Sequence, residues 1–314
     1  MENKEKNFMS AVIYVHNSED RIEEFLEMVL RTLENNFDHS EIICVNDCSE
    51  DGSAEKIKQV GKKAKKASVS ILNMSYFHGL ERAMNAGLDL AIGDFVFEFD
   101  HTEADFGQEE IMDIYKRSLE GYDIVCAVPD KKEKFTSKCF YKIFGWFADL
   151  PCEMNTESFR VLSRRVINRV SSMNKMVPYR KAVYANSGLR AGMIKYKSCG
   201  GKKGQGIKDK KEKRYRVRLA VDAMILFTEA GYRFSIGMTA LMMAMSVFML
   251  GYSLVTYLAS HPVAGWTTTV LFLSVVFFGL FGILTVIIKY LQLIVELVFK
   301  RKRYTFESIE KVTR

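Results

Sequence analysis

Two aspartates, each placed directly after a run of strand-forming apolar residues, are the positions from which chemistry can be argued. Asp47 follows Glu41–Val45 in the polar turn Asn46-Asp47-Cys48-Ser49-Glu50-Asp51-Gly52, and Asp100 closes Phe95–Phe99. Loops at the ends of parallel strands gather backbone amides and short polar side chains into one crevice, so two carboxylates there fit a nucleotide or metal site. The plainer alternative is a pair of solvated turn caps. Cysteines 44, 48, 126, 139, 152 and 199 form no Cys-x-x-Cys pair, and neither zinc nor a disulfide is expected. The stretch Ser198-Cys199-Gly200-Gly201-Lys202-Lys203-Gly204-Gln205-Gly206 lacks the Gly-Lys-Ser/Thr ending of a Walker loop. It reads as a linker or as a cradle for a phosphate.

The elements that must position the aspartates alternate between β-rich runs and helical patterns, the signature of a mostly parallel sheet covered by helices. Ala11–Val15, Glu41–Val45, Val69–Asn73 and Phe95–Phe99 read as strands. Between them lie helices over Arg21–Asn35, Ala54–Lys66 and His78–Ala91, the first with Ile22, Phe25, Leu26, Val29, Leu30 and Leu33 on one face.

A second feature fixes where such a domain works. From Phe234 to Ile288 there is no Asp, Glu, Lys or Arg, and the runs Phe234–Leu258 and Val263–Ile288 each exceed the roughly 20 residues that a membrane-spanning helix needs. Only Ala259, Ser260, His261 and Pro262 separate them, so a helical hairpin is expected, with two buried helices of a soluble domain as the competing reading. Nine basic residues against two acidic ones in Lys202–Arg218, and Lys300, Arg301, Lys302 and Arg303 after the second run, place both ends on the cytoplasmic side. The net charge of +7 resides largely in the first of these segments and points to an anionic membrane surface, not a nucleic-acid groove. Tyr215–Gly231 reads as an interfacial helix whose Arg214, Arg216 and Arg218 meet headgroups. Lys289, Gln292, Glu296 and Lys300 form a polar stripe suited to a soluble domain, the chain's own or that of a neighbour in a homo-oligomer. The expected division is a catalytic domain over 1–200, a basic linker and interface helix over 201–233, two membrane helices over 234–288, and a cytoplasmic helix and tail over 289–314.

The order Tyr14-Val15-His16-Asn17, then Val45 to Gly52, then His78-Gly79 through Ala83-Met84-Asn85-Ala86-Gly87-Leu88-Asp89, then Gly93 to Asp100, resembles the family 2 glycosyltransferases of GT-A fold, an α/β, Rossmann-like architecture. With the hairpin, the chain is similar to the polyprenyl-phosphate glycosyltransferases, relatives of dolichyl-phosphate mannose synthase. Lys134 to Tyr141 and Ser158 to Arg165 resemble two further segments of that group. The resemblance implies transfer of a sugar from a UDP- or GDP-type donor to a polyprenyl phosphate at the cytoplasmic face of the inner membrane, helped by Mg²⁺ or Mn²⁺.

By the same resemblance Val15, Asn17 and Asp47 would serve the donor, Asp47 at the base or ribose. Asp100, Thr102 and Arg160 would be catalytic, with Asp100 at the sugar diphosphate and metal, and Lys134, Ser137 and Arg160 would face the acceptor phosphate. The competing readings make Arg160 a structural ion-pair partner, Lys134 a solvated lysine and Ser137 a helix cap. This chain departs from the group at Asp100-His101-Thr102, where the second carboxylate of Asp-x-Asp is missing, at Ser158 in place of an Asp, and at Tyr14 in place of a Pro. Glu98 or Glu103 could supply the missing metal ligand. The rivals are the same fold acting on another membrane acceptor, and a non-catalytic nucleotide-sugar-binding scaffold.

Overall fold

The computed structural model describes residues 4–130, 157–173, 179–185, 187–198, 214–215, 217–222 and 306–311, with isolated helical positions between 237 and 294. The chain divides into two compact units, residues 1–220 with 301–314, and residues 221–300.

The first unit is built on strands β1 (Met9–Val15), β2 (Ser40–Asn46), β3 (Ser68–Met74), β4 (Phe95–Phe99), β5 (Ile124–Pro129), β6 (Phe159–Ser163), β7 (Ala191–Tyr196) and β8 (Phe306–Lys311). They form one sheet in the order β7-β5-β6-β4-β1-β2-β3-β8. β1 to β4 are mutually parallel, β6 runs antiparallel to both β4 and β5, and β8 runs antiparallel to β3. The helices described are α1 (Glu19–Asn36), α2 (Ser53–Gly61), α3 (Leu80–Leu90), α4 (Gln108–Leu119), α5 (Arg164–Met173) and α6 (Arg180–Ala185).

β1 is buried at every position, which explains its nearly continuous apolar sequence. Gly87 lets α3 lie tight on the sheet, since a Cβ there would come within 2.4 Å of Val12 and 2.6 Å of Val45. Phe25, Phe99, Phe106 and Phe159 stack in one cluster, with Phe106 and Phe159 centroids 4.1 Å apart. That cluster anchors β4 and β6 just before Asp100 and Arg160. Chain order runs β1, β2, β3 outward and then crosses to β4 on the other side of β1, so the crevice for a ligand lies at the C-terminal ends of β4, β1 and β2.

Two helix boundaries differ from the sequence expectation for identifiable reasons. α2 ends at Gly61 because the amides of Lys65, Lys66 and Ala67 donate to the Glu34 carboxylate at 2.6, 2.7 and 3.2 Å instead of continuing the helix. α3 begins at Leu80 because Gly79 has φ +81° and both His78 and Gly79 donate their amides to Asp47. A third difference is larger. Residues 306–311, expected within a helix and tail, form the edge strand β8, fixed by a 2.5 Å Lys58–Glu310 ion pair and a 3.2 Å bond from Asn73 to Glu310.

In the second unit most of the two apolar runs lies outside the described residues. No described helix is long and apolar enough to cross a membrane. The helical positions that are described expose Leu280, Leu284, Ile287, Leu291 and Ile294, spaced to share one helix face.

Candidate active site

The loops after β1 and β2 are laced together at the strand ends. Asp47 donates its amide to the Val15 carbonyl at 2.9 Å, Glu50 donates to Asn17 Oδ1 at 2.9 Å, and Asn17 donates to Ser49 Oγ at 3.2 Å. Asn17 and Cys48 hold φ of 47° and 56°, conformations that a polar lacing of this kind sustains. Asn17 is exposed at the rim, as a donor contact requires, whereas the Val15 side chain is wholly buried and offers a ligand only its backbone.

Asp47 stands where the sequence puts it but faces inward. It is 0% exposed, and its carboxylate accepts from His78 N at 2.8 Å, Gly79 N at 2.8 Å and the Tyr14 hydroxyl at 3.0 Å. In this structure the carboxylate braces the β3–α3 loop, where two backbone amides and a buried phenol use its lone pairs. Tyr14, the departure from Pro, supplies one of these donors.

Across β1, roughly 10 Å away by strand spacing, lies a buried cluster of charges. Glu98 on β4 sits directly opposite Arg160 on β6 in the register. Alternation along β4 turns Phe97 and Phe99 into the core and Glu98 toward α6. Arg180, the first residue of α6, donates to Glu81 at 2.9 Å, Glu98 at 2.7 Å and Asp100 at 2.6 Å. Arg160 donates to Asp100 at 2.5 Å and lies 3.2 Å from Glu98 and 3.3 Å from Glu157. One turn along α6, the Tyr184 hydroxyl donates to Glu98 at 2.9 Å. Burial pushes the Asp100 carboxyl up, but Arg160, Arg180 and Lys181 outweigh it and hold the group well below the usual carboxylate range. Burial likewise pulls both arginines down, and the facing carboxylates more than reverse this. Asp100, Arg160 and Arg180 are therefore charged at working pH.

Arg160 is 1% exposed and ion-paired with Asp100, Glu98 and Glu157 in this structure. Its Nε and Nη1 make no hydrogen bond and instead face Glu157 and Glu98 as ion-pair contacts at 3.3 and 3.2 Å. Arg180 was not legible in the sequence, since its partners lie 80 to 99 residues away and Tyr179-Arg180-Lys181 has no motif. Lys134, Ser137 and Arg216 lie outside the described residues. Arg214 and Arg218 are exposed helical residues. Ser158 is buried and accepts from the Tyr196 hydroxyl at 2.6 Å, so the position that carries an Asp in the resembled group is here internal.

The groups present do not fit a divalent cation in this arrangement. Both Asp100 oxygens are bonded to guanidiniums, Glu98 is wholly buried between Arg160, Arg180 and Tyr184, and Thr102 is 3% exposed. Glu103 pairs with Arg21 at 2.9 Å. Among the described residues no three His, Cys, Asp or Glu side chains converge as ligands. In this arrangement Asp100 and Glu98 are engaged by guanidiniums and Glu103 by Arg21, so none of the three expected ligands stands open to a metal. A surface groove of about 480 Å³ lined by Glu27, Arg31, Glu34 and Lys63 lies along α1, away from the strand ends.

Residues 10–175, more than half of the 314, match the family model described as glycosyl transferase family 2. An uncharacterized glycosyltransferase of Synechocystis is 31% identical over 188 residues, covering 58% of each chain. A prophage bactoprenol glucosyl transferase homolog of Escherichia coli is 26% identical over 194 residues, 60% of this chain and 62% of that protein. The chain thus spans about three fifths of the length of these curated relatives. Among solved structures, a mannosyltransferase of Pyrobaculum calidifontis in complex with GDP-mannose and Mn²⁺ superposes with TM-score 0.50 at 15% identity, over 70% of this chain and 63% of that one. That likeness shows the fold, the GT-A arrangement of a mostly parallel mixed sheet.

Proposed function

The chain belongs to glycosyl transferase family 2, and from that premise we propose that it moves a sugar from a UDP- or GDP-linked donor onto a polyprenyl phosphate at the cytoplasmic membrane face. The observation that carries this reading is the return of the chain to its own sheet. The uncharged stretch 234–288 is inserted between residue 220 and β8, and both flanks belong to one unit. A segment so tethered crosses a bilayer an even number of times, which supports a two-helix hairpin with both ends on one side, and the basic flanks favour the cytoplasmic one. The exposed apolar face at Leu280, Leu284, Ile287, Leu291 and Ile294 suits lipid contact. Arg214, Val217, Arg218 and Val221 are exposed and fall within roughly 100° of helix arc, a face suited to the headgroup layer.

In the transfer, a phosphate oxygen of the acceptor forms the new bond to the anomeric carbon. The bond from that carbon to the nucleotide diphosphate breaks and its electron pair leaves with the diphosphate. The acceptor is already an anion, so no strong base is needed and Ser158 costs nothing on that account. The departing charge falls to the guanidiniums of Arg160 and Arg180, which match phosphate oxygens in geometry. The relatives' names support the acceptor class, and assembly as a homo-oligomer is part of the same proposal.

A second reading, a scaffold that binds donor without turnover, is favoured by the full engagement of Asp100 with both arginines. A screen of UDP- and GDP-sugars against the full chain in bilayers decides between them. Labelled sugar should enter the lipid extract only when polyprenyl phosphate is present. Donor binding with no lipid product from any donor would establish the scaffold, and transfer without that lipid would establish another acceptor.

A further inference from the structure

The headgroup-facing helix is wedged into the loop that holds Asp47. The Tyr215 ring lies over Gly79, where a Cβ would come within 2.2 Å of it, and Gly79 holds φ +81°. Phe77 packs edge-on to the same ring at 5.9 Å. The Tyr215 hydroxyl accepts the Glu81 amide at 3.3 Å. Two lines of contact lead from this point to the site. Gly79 and the preceding His78 donate their amides to Asp47, and the Glu81 carboxylate holds the backbone amide and Nε of Arg180, whose other nitrogens hold Glu98 and Asp100.

We infer that Tyr215 is a positioning residue through which the helix at 214–222 sets both halves of the donor site. It touches neither aspartate. Its ring atoms are the nearest to the space above Gly79, and it so fixes the turn on which the Asp47 brace and the Glu81–Arg180 contact both depend. Only glycine fits beneath the ring, because a side chain at position 79 would meet both the left-handed backbone and the phenol. The same helix presents Arg214, Val217, Arg218 and Val221 outward. Seating on the headgroup layer and holding the donor site are consequently tasks of one short element, and by linkage each should favour the other.

This inference rests on the nucleotide-sugar reading for its kinetic arm alone. In the full chain reconstituted in bilayers, Tyr215→Ala should raise the donor KM, or the dissociation constant of the nucleoside diphosphate, by roughly tenfold or more, the scale of a slightly misplaced contact, while the polyprenyl-phosphate KM stays unchanged. Tyr215→Phe keeps the ring and loses one long hydrogen bond, so it should restore donor KM to within about threefold of wild type. Amide hydrogen exchange supplies an arm that needs no nucleotide. Protection at His78 and Gly79 should fall in Tyr215→Ala and return in Tyr215→Phe, with β1 and β2 unaffected. A wild-type protein that handles no nucleotide sugar would sink the functional reading and leave the exchange result to judge Tyr215. Unchanged exchange at His78 and Gly79, or a loss of kcat with donor KM intact, would overturn the inference.

Discussion

Replacing Arg180 by Met tests whether the charge cluster is an integral part of the domain. The side chain is 1% exposed and holds three carboxylates, Glu81 at 2.9 Å, Glu98 at 2.7 Å and Asp100 at 2.6 Å. Methionine preserves much of the volume, so the loss is electrostatic. Charge-assisted hydrogen bonds contribute about 1.5–3 kcal/mol each when counted singly. They are not additive, and removing one partner of a buried ion pair costs about 3–5 kcal/mol. We expect roughly 4 kcal/mol, a large part of the 5–15 kcal/mol by which domains are stable. For a domain of this size that lowers Tm by roughly 8–16 °C. Thermal unfolding of the full chain in detergent, followed by near-UV circular dichroism, reads the shift. Arg165→Ala is the control, because Arg165 is 70% exposed and lies 3.7 Å from Asp123, so its loss should stay below about 0.5 kcal/mol. Adding Glu98→Gln to Arg180→Met should recover part of the loss by removing a stranded charge. A loss below about 1 kcal/mol in Arg180→Met, or no recovery in the double variant, would refute the view that the cluster is held by mutual neutralisation.

Three further outcomes are expected. Asp100→Asn should lower transfer by at least about 100-fold, with a smaller Tm change than Arg180→Met, and near-normal turnover would remove Asp100 from the site. Asp100 and Glu157 are held below their ordinary ranges, so their stabilisation is complete above the unfolded carboxylate pKa and is lost as pH falls through the folded values. Tm should therefore be level between about pH 6 and 8 and decline below about pH 5, and a protein equally stable at about pH 3 would contradict that sign. Nucleoside diphosphate binding, measured calorimetrically, should stay within about threefold in excess chelator, the equivalent of under 1 kcal/mol; strict dependence on Mn²⁺ or Mg²⁺ would show that a metal, not the arginines, carries the diphosphate charge.

What the sequence disclosed and what it hid divide along the distance of the interactions. The strands β1 to β4 were legible because burial writes apolar residues into each, continuously along much of β1 and in near alternation along β3, and α1 because its buried face repeats at helical spacing. The end of α2 was not, since Glu34 takes its amides from 31 to 33 residues away. β8 was hidden because its partner β3 precedes it by more than 200 residues. In the site, position was legible and orientation was not. Asp47 and Asp100 stand at the predicted strand ends, yet Asp47 turns inward to amides of a loop that helical periodicity assigned to α3. Glu98, Arg160 and Arg180 meet through register and through α6 docking, neither of which a linear pattern encodes.

The central claim is that the donor diphosphate is handled by the arginines at the end of β4. A structure of the full chain with bound UDP or GDP tests it most directly. The account predicts diphosphate oxygens within hydrogen-bond distance of Arg160 and Arg180, with the nucleoside over Asn17 and the loop at Asp47. A diphosphate bound elsewhere, with the Asp100 contacts to both arginines intact, would contradict it.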